Sequence, residues 1–597
     1  MLVLISCDKI DSMLDTTNYQ KTDTSSFPKT EKDAEQLVNS AYYSLRQFFV
    51  GSIFQVNVFR NMIASDDLYG AGSTSSKETS ADDRLLAPSS DEDNSPWKRY
   101  YEGLHRCNFA LEAISDMDDA LFTSDNKNWY LGQAHFMRAY FLWELAERWE
   151  TFPLTLSSMV ENTPRATVDE VYEAIAADLK DAINLIPAKY GYSKDNNLCG
   201  RATKYAAEAL MGRVWLFYTG FYKKSEMAGI SKSQVVAWLE DCVNNSKFGL
   251  EKDPREIWPY TNEYSSGFAY GTDFDTWASR ENLHWVGNHS KETIWGVHFS
   301  MTAQYEYNRL SEWLGMRNSA QRPDDDSYPY AAGSNANGSV NPLAVKEWFE
   351  DEDYGPKDKR FYGSILAANK AAIEKAYPWF TEAKGAFVEL PNFPGHASKE
   401  VERTWFYTKK YQTMACYSDG TKSSKYNTFF YAINSAVDNK PKSGNKNDAI
   451  LIRFADVLLM LDELNGTVTG MNQLRARAGL KPYDSYTFER LQKERRYEFF
   501  TEGMRWNDLR RWYPDTAGEI IQANQDGGYI EYKGAKNVYQ ELPGRSFSQR
   551  YAKTRGFWMI PETQIGLQEG MLTQTPGFED GENFLFVDGD LPYASKK

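Results

Sequence analysis

Carboxylates four residues apart are the first arrangement in this chain that invites acid–base chemistry, because such catalysis needs one charged group and a second that holds a proton. Glu498 and Glu502 have that spacing, and Asp324 to Asp326 form a second acidic group. The first pair is flanked by Arg495, Arg496 and Arg505, whose charge keeps both carboxyls ionised and leaves neither able to act as an acid. Asp324 to Asp326 lie between Pro323 and Pro329, which reads as a solvated or calcium-binding turn. None of the six histidines falls in an H-E-x-x-H pattern, and His284 and His289, five apart, share neither a helix face nor a strand face. Cys7, Cys107, Cys199, Cys242 and Cys416 form no C-x-x-C pair, so neither a zinc site nor a disulfide framework is indicated. The sequence has no G-x-S-x-G, no phosphate-binding glycine loop and no cysteine–histidine signature. No catalytic residue, metal or cofactor is assigned, and the chain is expected not to be an enzyme.

Flat rings are what the composition offers instead. The 597 residues include 17 Trp, 38 Tyr and 33 Phe, more than a core usually takes, which places some of them on a recognition surface. A polyol presents an apolar C–H face ringed by hydroxyls, so Trp and Tyr stack on it while Asp, Asn and Arg take its hydrogen bonds. Aromatics beside hydrogen-bonding groups in loop-like sequence are the candidates: Tyr69 and Arg84 in an early loop, and Trp277, Trp285, Tyr305 and Trp313 in the middle of the chain. The competing reading of each is a packed aromatic or a solvated arginine. A formal net charge of -16 leaves no basic excess to replace phosphate counterions, which argues against nucleic acid as a partner. No apolar run approaches the roughly 20 residues that span a bilayer.

Helical spacing dominates both ends of the chain. Leu37, Ala41, Leu45 and Phe48 repeat every three or four residues, and Trp97, Tyr101, Leu104, Asn108 and Leu111 continue the pattern. Thr167 to Glu170 has the form of a capping box; behind it Val168, Val171, Tyr172, Ile175, Leu179, Ala182, Ile183 and Ile186 make an apolar stripe that Pro187 ends. The small residues Ala206, Ala209 and Gly212 predict close helix contact. From Leu68 to Pro96 a loop rich in Gly, Ser, Thr and Asp intervenes, and between 250 and 447 Gly, Pro and aromatics replace long helical patterns. Within that middle region, Trp295, Val297 and Phe299 alternate as in a short strand. Glu494 to Trp512 predicts two helical pieces broken at Gly503, with Phe488, Leu491 and Phe499 facing inward from one and Trp506, Leu509 and Tyr513 from the other. On the same stretch Arg490 with Glu494, and Glu502 with Arg505, are spaced to pair along the surface. The chain divides into a polar N-terminal tether (1–30), a helical part (31–249), a loop-rich aromatic insertion (250–447) and a C-terminal helical part (448–597).

The string from Glu494 to Trp512 resembles the C-terminal signature of the SusD/RagB family of outer-membrane nutrient-binding lipoproteins. Ala64 to Asp67, Gly132 to Phe141, Ile450 to Met460, Asn472 to Leu480, Met559 to Ile565 and Gln574 to Phe578 resemble further family motifs in the right order. The resemblance implies a mostly α fold, a tetratricopeptide-like scaffold of helix pairs with long loop-rich insertions carrying short strands, although no clean 34-residue repeat is visible. It also implies a cell-surface glycan-binding lipoprotein of the outer membrane that delivers oligosaccharide to a SusC-like TonB-dependent transporter. Leu4-Ile5-Ser6-Cys7 resembles a lipobox, which makes Cys7 the expected site of lipid attachment. The alternatives are a peptide-binding protein of the RagB kind and a glycoside hydrolase on a helical scaffold.

Overall fold

Three of the N-terminal helices begin where a side chain satisfies a free N–H group of the first turn. Thr167 and Glu170 form the full capping box, Thr203 accepts from Ala206 N, and Ser231 accepts from Gln234 N. The computed structural model describes residues 27–50, 60–70, 94–159, 161–193, 199–260, 283–299, 307–310, 314, 330–331, 338–367, 370–380, 404–417, 426–428, 445–532, 535–538, 547–568 and 570–578. In order come α1 (Glu31–Val50), β1 (Leu68–Gly70), α2 (Asn94–Ser115), α3 (Asn126–Trp149), α4 (Val168–Leu185), α5 (Lys204–Phe221) and α6 (Lys232–Asn245). From α2 to α6, each helix packs on the next. α3 is buried on most of its sides and lies at the centre, with Phe136, Phe141, Leu142 and Ala146 fully enclosed and its buried charges Glu147 and Arg148 paired. The close contact predicted from small residues occurs between α5 and α6, where a Cβ on Gly212 would lie 2.9 Å from the Leu239 side chain.

The middle of the chain contributes short elements: β2 (Thr293–Val297), β3 (Gly338–Val340), α7 (Pro342–Glu350), α8 (Lys359–Ser364), β4 (Ile365–Ala367) and β5 (Phe406–Thr408). The helical scaffold resumes after β6 (Ala449–Arg453) with α9 (Phe454–Asn465), α10 (Thr469–Arg477), α11 (Phe488–Glu498), α12 (Met504–Trp512), α13 (Ala517–Gln525) and α14 (Phe547–Thr554). Strand pairing joins distant parts of the chain in antiparallel ladders, β1 to β3, β4 to β5 and β2 to β6. The fold is mostly α with few short strands, as expected, and β2 is the strand predicted from alternation. One hydrophobic cluster runs from Ala34 in α1 to Leu572 near the end.

The break between α11 and α12 falls at Gly503, whose φ of 81° suits a residue without Cβ. The charges on these helices do not pair along the surface as their spacing predicts. Arg490 turns to Asp484 at 2.8 Å, while Glu494 is enclosed beneath Arg360 and Tyr354. Glu502 pairs with Lys410 and Arg453, and Arg505 with Asp66. For Glu494, Glu502 and Arg505 a partner distant in sequence displaces the helical neighbour, because a buried charge needs more hydrogen bonds than one exposed side chain supplies. Phe488 is also not inward-facing: it is exposed, with its ring edge against Trp512.

Candidate ligand-binding face

Glu494, Glu498 and Glu502 follow at four-residue steps along and just beyond α11, so their side chains point to one side. Cations from four segments meet them. Arg453, at the end of β6, donates to Glu502 Oε2 and to Glu292 Oε1, each at 2.9 Å, and also pairs with Glu498. Arg477, closing α10, bridges Glu292 and Glu498. Arg360 of α8 donates to Glu494 at 2.6 Å and to Glu498 at 2.9 Å, and Lys410, just after β5, donates to Glu502 at 2.6 Å. The other side of α11 carries Arg495, bound to Asp456 and Asp508, and Arg496, bound to Asp66, Asp67 and Glu347. α11 thereby clamps the early loop, the insertion and the C-terminal helices together.

The electrostatics of this clamp oppose proton transfer. Burial alone would lift the Glu498 carboxyl, but Arg477, Arg453 and Arg360 outweigh it and hold Glu498 well below the usual carboxylate range. A group without a proton near neutral pH is no general acid. Glu494 moves the other way, raised by burial against the pull of Arg360, but it is fully enclosed and accepts from the Tyr354 hydroxyl at 2.8 Å. Glu144 on α3 is likewise raised by burial, with Arg148 opposing. It lines a half-open cavity between α3, α5 and α12 whose charged lining includes Glu147, Arg148, Arg495 and Arg511. Glu494, Glu498 and Glu144 thus belong to ion pairs, a structural arrangement that shifts pKa values as an active site does.

Tyr69 is fully buried in β1 opposite Ser339, and its hydroxyl donates to Gln525 O at 2.9 Å. The cause is the β1–β3 ladder, which draws the start of the early loop into the interior. Trp285 does stay half-buried in the segment before β2, beside exposed His284. That segment is held to the stretch after α6 by Val286 N to Glu256 O at 3.0 Å and His284 N to Glu256 Oε1 at 3.1 Å. Arg84, Trp277, Tyr305 and Trp313 lie outside the described residues, as do Cys7, most of the 1–30 tether and Asp324 to Asp326.

Aromatics that the sequence reading passed over lie on the segments linked to that of Trp285. Trp258, two residues after Glu256, is buried with its ring centre 5.5 Å from that of half-buried Tyr411 and 5.5 Å from Lys410 Nζ. Lys409 Nζ stands 5.1 Å from the centre of the Tyr260 ring, and Trp405 is half-buried at a left-handed φ of 66°. Residues 256–260, 283–286 and 405–411 thus adjoin one another; of their rings Trp285, Trp405 and Tyr411 are half-buried, while Trp258, Tyr260, Phe406 and Tyr407 are enclosed and support them. The signal of this face in the sequence is the run Trp405-Phe406-Tyr407-Thr408-Lys409-Lys410-Tyr411, rings interleaved with cations, which a search confined to loop aromatics overlooks because it begins at a strand.

The sequence model of the family described as "SusD family" matches residues 291–578, and that of the family described as "Starch-binding associating with outer membrane" matches residues 13–216. No curated protein matches the chain. Among solved structures, the fold is similar to that of a laminarin-binding SusD-like protein, with 21% identity, a TM-score of 0.62 and coverage of 92% of this chain and 100% of that one. It is similar also to surface glycan-binding protein A from Bacteroides fluxus, at 21% identity, a TM-score of 0.63 and coverage of 92% and 100%. The corresponding protein from Bacteroides thetaiotaomicron, solved in complex with laminarihexaose, gives 17% identity, a TM-score of 0.62 and the same 92% and 100% coverage. At these identities the likeness is one of fold.

Proposed function

From the premise that this chain belongs to the SusD/RagB family, we propose that it is a cell-surface glycan-binding protein, held to the outer membrane by lipid on Cys7. In this reading it captures oligosaccharide without cleaving it and passes it to a SusC-like TonB-dependent transporter. The observation that carries the reading is the pair of half-buried rings, Trp285 and Tyr411, on segments joined through the Val286–Glu256 hydrogen bond and the Trp258–Tyr411 contact and braced through Lys410 by the buried ion network. A sugar ring lying on a half-exposed indole moves its C–H face out of water at about 25 cal/mol per Å², or roughly 1 to 3 kcal/mol per platform. Hydroxyl hydrogen bonds replace those made to water and contribute about 1 kcal/mol each, mainly to orientation.

Because similar folds are described as binding laminarin and laminarihexaose, these are the first ligands to test, followed by a glycan array. Trp285→Ala is expected to weaken binding about tenfold, since about 1.4 kcal/mol is a factor of ten. Calorimetric titration measures this; unchanged affinity in both Trp285→Ala and Tyr411→Ala moves the site elsewhere. Binding of protein digests in place of glycans favours the peptide reading, and release of reducing sugar by the wild type overturns the non-enzyme reading. Co-purification of a barrel protein from solubilised outer membranes tests the partner, and mass spectrometry of the native N-terminus tests the lipid.

A further inference from the structure

Two histidines and an aspartate from separate segments meet at one end of the β2–β6 pair. The strands run antiparallel with Val297 opposite Ala449, so the residue that follows β2, His298, stands beside the residue that precedes β6, Asp448. His298 Nδ1 lies 2.8 Å from Asp448 Oδ1. His289 comes from the turn before β2, where a left-handed φ of 60° brings its backbone N–H to Asp448 Oδ2 at 3.0 Å and its Nδ1 to 3.6 Å from the same oxygen. The ring centres of the two imidazoles are 4.6 Å apart. One possible ligand atom from each of the three residues falls within 4.8 Å of the others.

We propose that His289, His298 and Asp448 form a binding site for a divalent first-row transition-metal ion, with zinc as the reference ion. Two imidazoles and one carboxylate suit zinc and its neighbours in the series, whereas calcium and magnesium take oxygen ligands throughout. In a tetrahedral shell with bonds of about 2.0 to 2.1 Å, ligand atoms stand about 3.3 Å apart. Each histidine nitrogen stands near that distance from a carboxylate oxygen, His298 at 2.8 Å from Oδ1 and His289 at 3.6 Å from Oδ2, and the ligand set as a whole lies within 4.8 Å, so the ion draws the three side chains together. The Asp448 side chain is 9% exposed and those of His289 and His298 are 25% and 37% exposed. The carboxylate anchors the site from within, and the fourth position opens to solvent.

Supporting hydrogen bonds hold the ligands in place. Asn288 Oδ1 accepts from Asp448 N at 3.0 Å while its Nδ2 donates to Lys446 O at 2.7 Å, which locks the turn carrying His289 onto the start of β6. Gly200 closes the other side, where a Cβ would lie 3.3 Å from His298 Cβ. Among the described residues, the polar contacts of the Asp448 side chain are with the two histidines alone. The comparable trio of His135, Asp178 and Asp181 differs on this point. There Arg138 takes both oxygens of Asp178 at 2.8 Å, and the carboxylate is already neutralised.

The test uses untagged full-length protein, stripped of metal with a chelator and titrated with zinc chloride by calorimetry, with bound zinc measured by elemental analysis. One equivalent per chain is expected. His289→Ala and His298→Ala should each weaken binding by tenfold or more, while His135→Ala leaves it unchanged. Cobalt(II) gives a second readout, with the visible absorption of a four-coordinate site expected in the wild type and lost in the His289→Ala/His298→Ala double variant. Far-ultraviolet circular dichroism identical to that of the wild type certifies the fold of each variant, and the exposed position of His298 makes its replacement the milder one. Wild-type protein that binds no zinc, or zinc binding that survives in the folded double variant, overturns the proposal.

Discussion

At Glu498 one carboxylate meets three guanidinium groups, those of Arg360, Arg453 and Arg477. Glu498→Gln leaves these cations short of a buried counter-charge, a change that typically costs about 3 to 5 kcal/mol; urea unfolding measures it, with glycan affinity of the folded fraction expected to stay unchanged. Asp456 supplies the pH dependence. Burial lifts its carboxyl, but Arg213 and Arg495 outweigh that and hold it at about 2. Because the folded value lies below the ordinary value of about 3.9, the unfolded chain binds the extra proton; the stabilisation is complete above about pH 4 and is lost as pH falls through about 2. Acid titration of the unfolding midpoint should therefore fall steeply over that window, and less steeply in Asp456→Asn. Glu208 has the opposite sign: burial, opposed by Lys204, raises it to about 9. Its contribution is present below about pH 4.3 and declines as pH rises through 9, so Glu208→Gln should flatten the stability curve between pH 5 and 9.

At the scale of elements, close approach decides where a side chain is tolerated. Gly220 on α5 lies under α12, and a Cβ there would sit 2.5 Å from the Arg511 carbonyl oxygen. Gly220→Ala should push the helices apart and cost about 1 to 3 kcal/mol. Gly566, in an exposed helical turn with nothing within 4 Å of an added Cβ, should instead gain up to about 1 kcal/mol on replacement by Ala; thermal unfolding of the two variants gives shifts of opposite sign. The elements themselves were largely legible. The stripe of α4, its capping box, the alternation of β2 and the break at Gly503 are all local signals, set by residues within a turn or two of one another. Pairing over distance was not: β1 looks like loop until residues 338–340 are seen beside it, and that partner is what buries Tyr69. The metal-ligand trio was hidden for the same reason, since His289 and His298 meet Asp448 only through strand register.

Over the whole molecule, the same long reach ties the first part of the chain to the last. Asp66 is held by Arg496 and Arg505, Trp149 Nε1 donates to Met559 O at 3.0 Å, and Arg165 Nη1 donates to Gln574 O at 2.8 Å. The cluster that links α1 to Leu572 should unfold as one unit, so tryptophan fluorescence and far-ultraviolet circular dichroism are expected to give coincident denaturation curves. Separate transitions would divide the molecule into parts that the clamp does not join. Within the clamp, Arg360, Lys410, Arg453 and Arg477 precede the glutamates of α11 and its end that they meet, but four other anions have the opposite order. Asp66, Asp67, Glu292 and Glu347 precede the arginines that neutralise them, Arg453, Arg477, Arg496 and Arg505. A growing chain therefore makes these anions first and must wait for their counter-ions. The early helices can stack as they emerge, but their final docking is postponed until the last quarter has been synthesised, so a nascent chain stopped before Arg453 should remain open to protease long after its helices have formed.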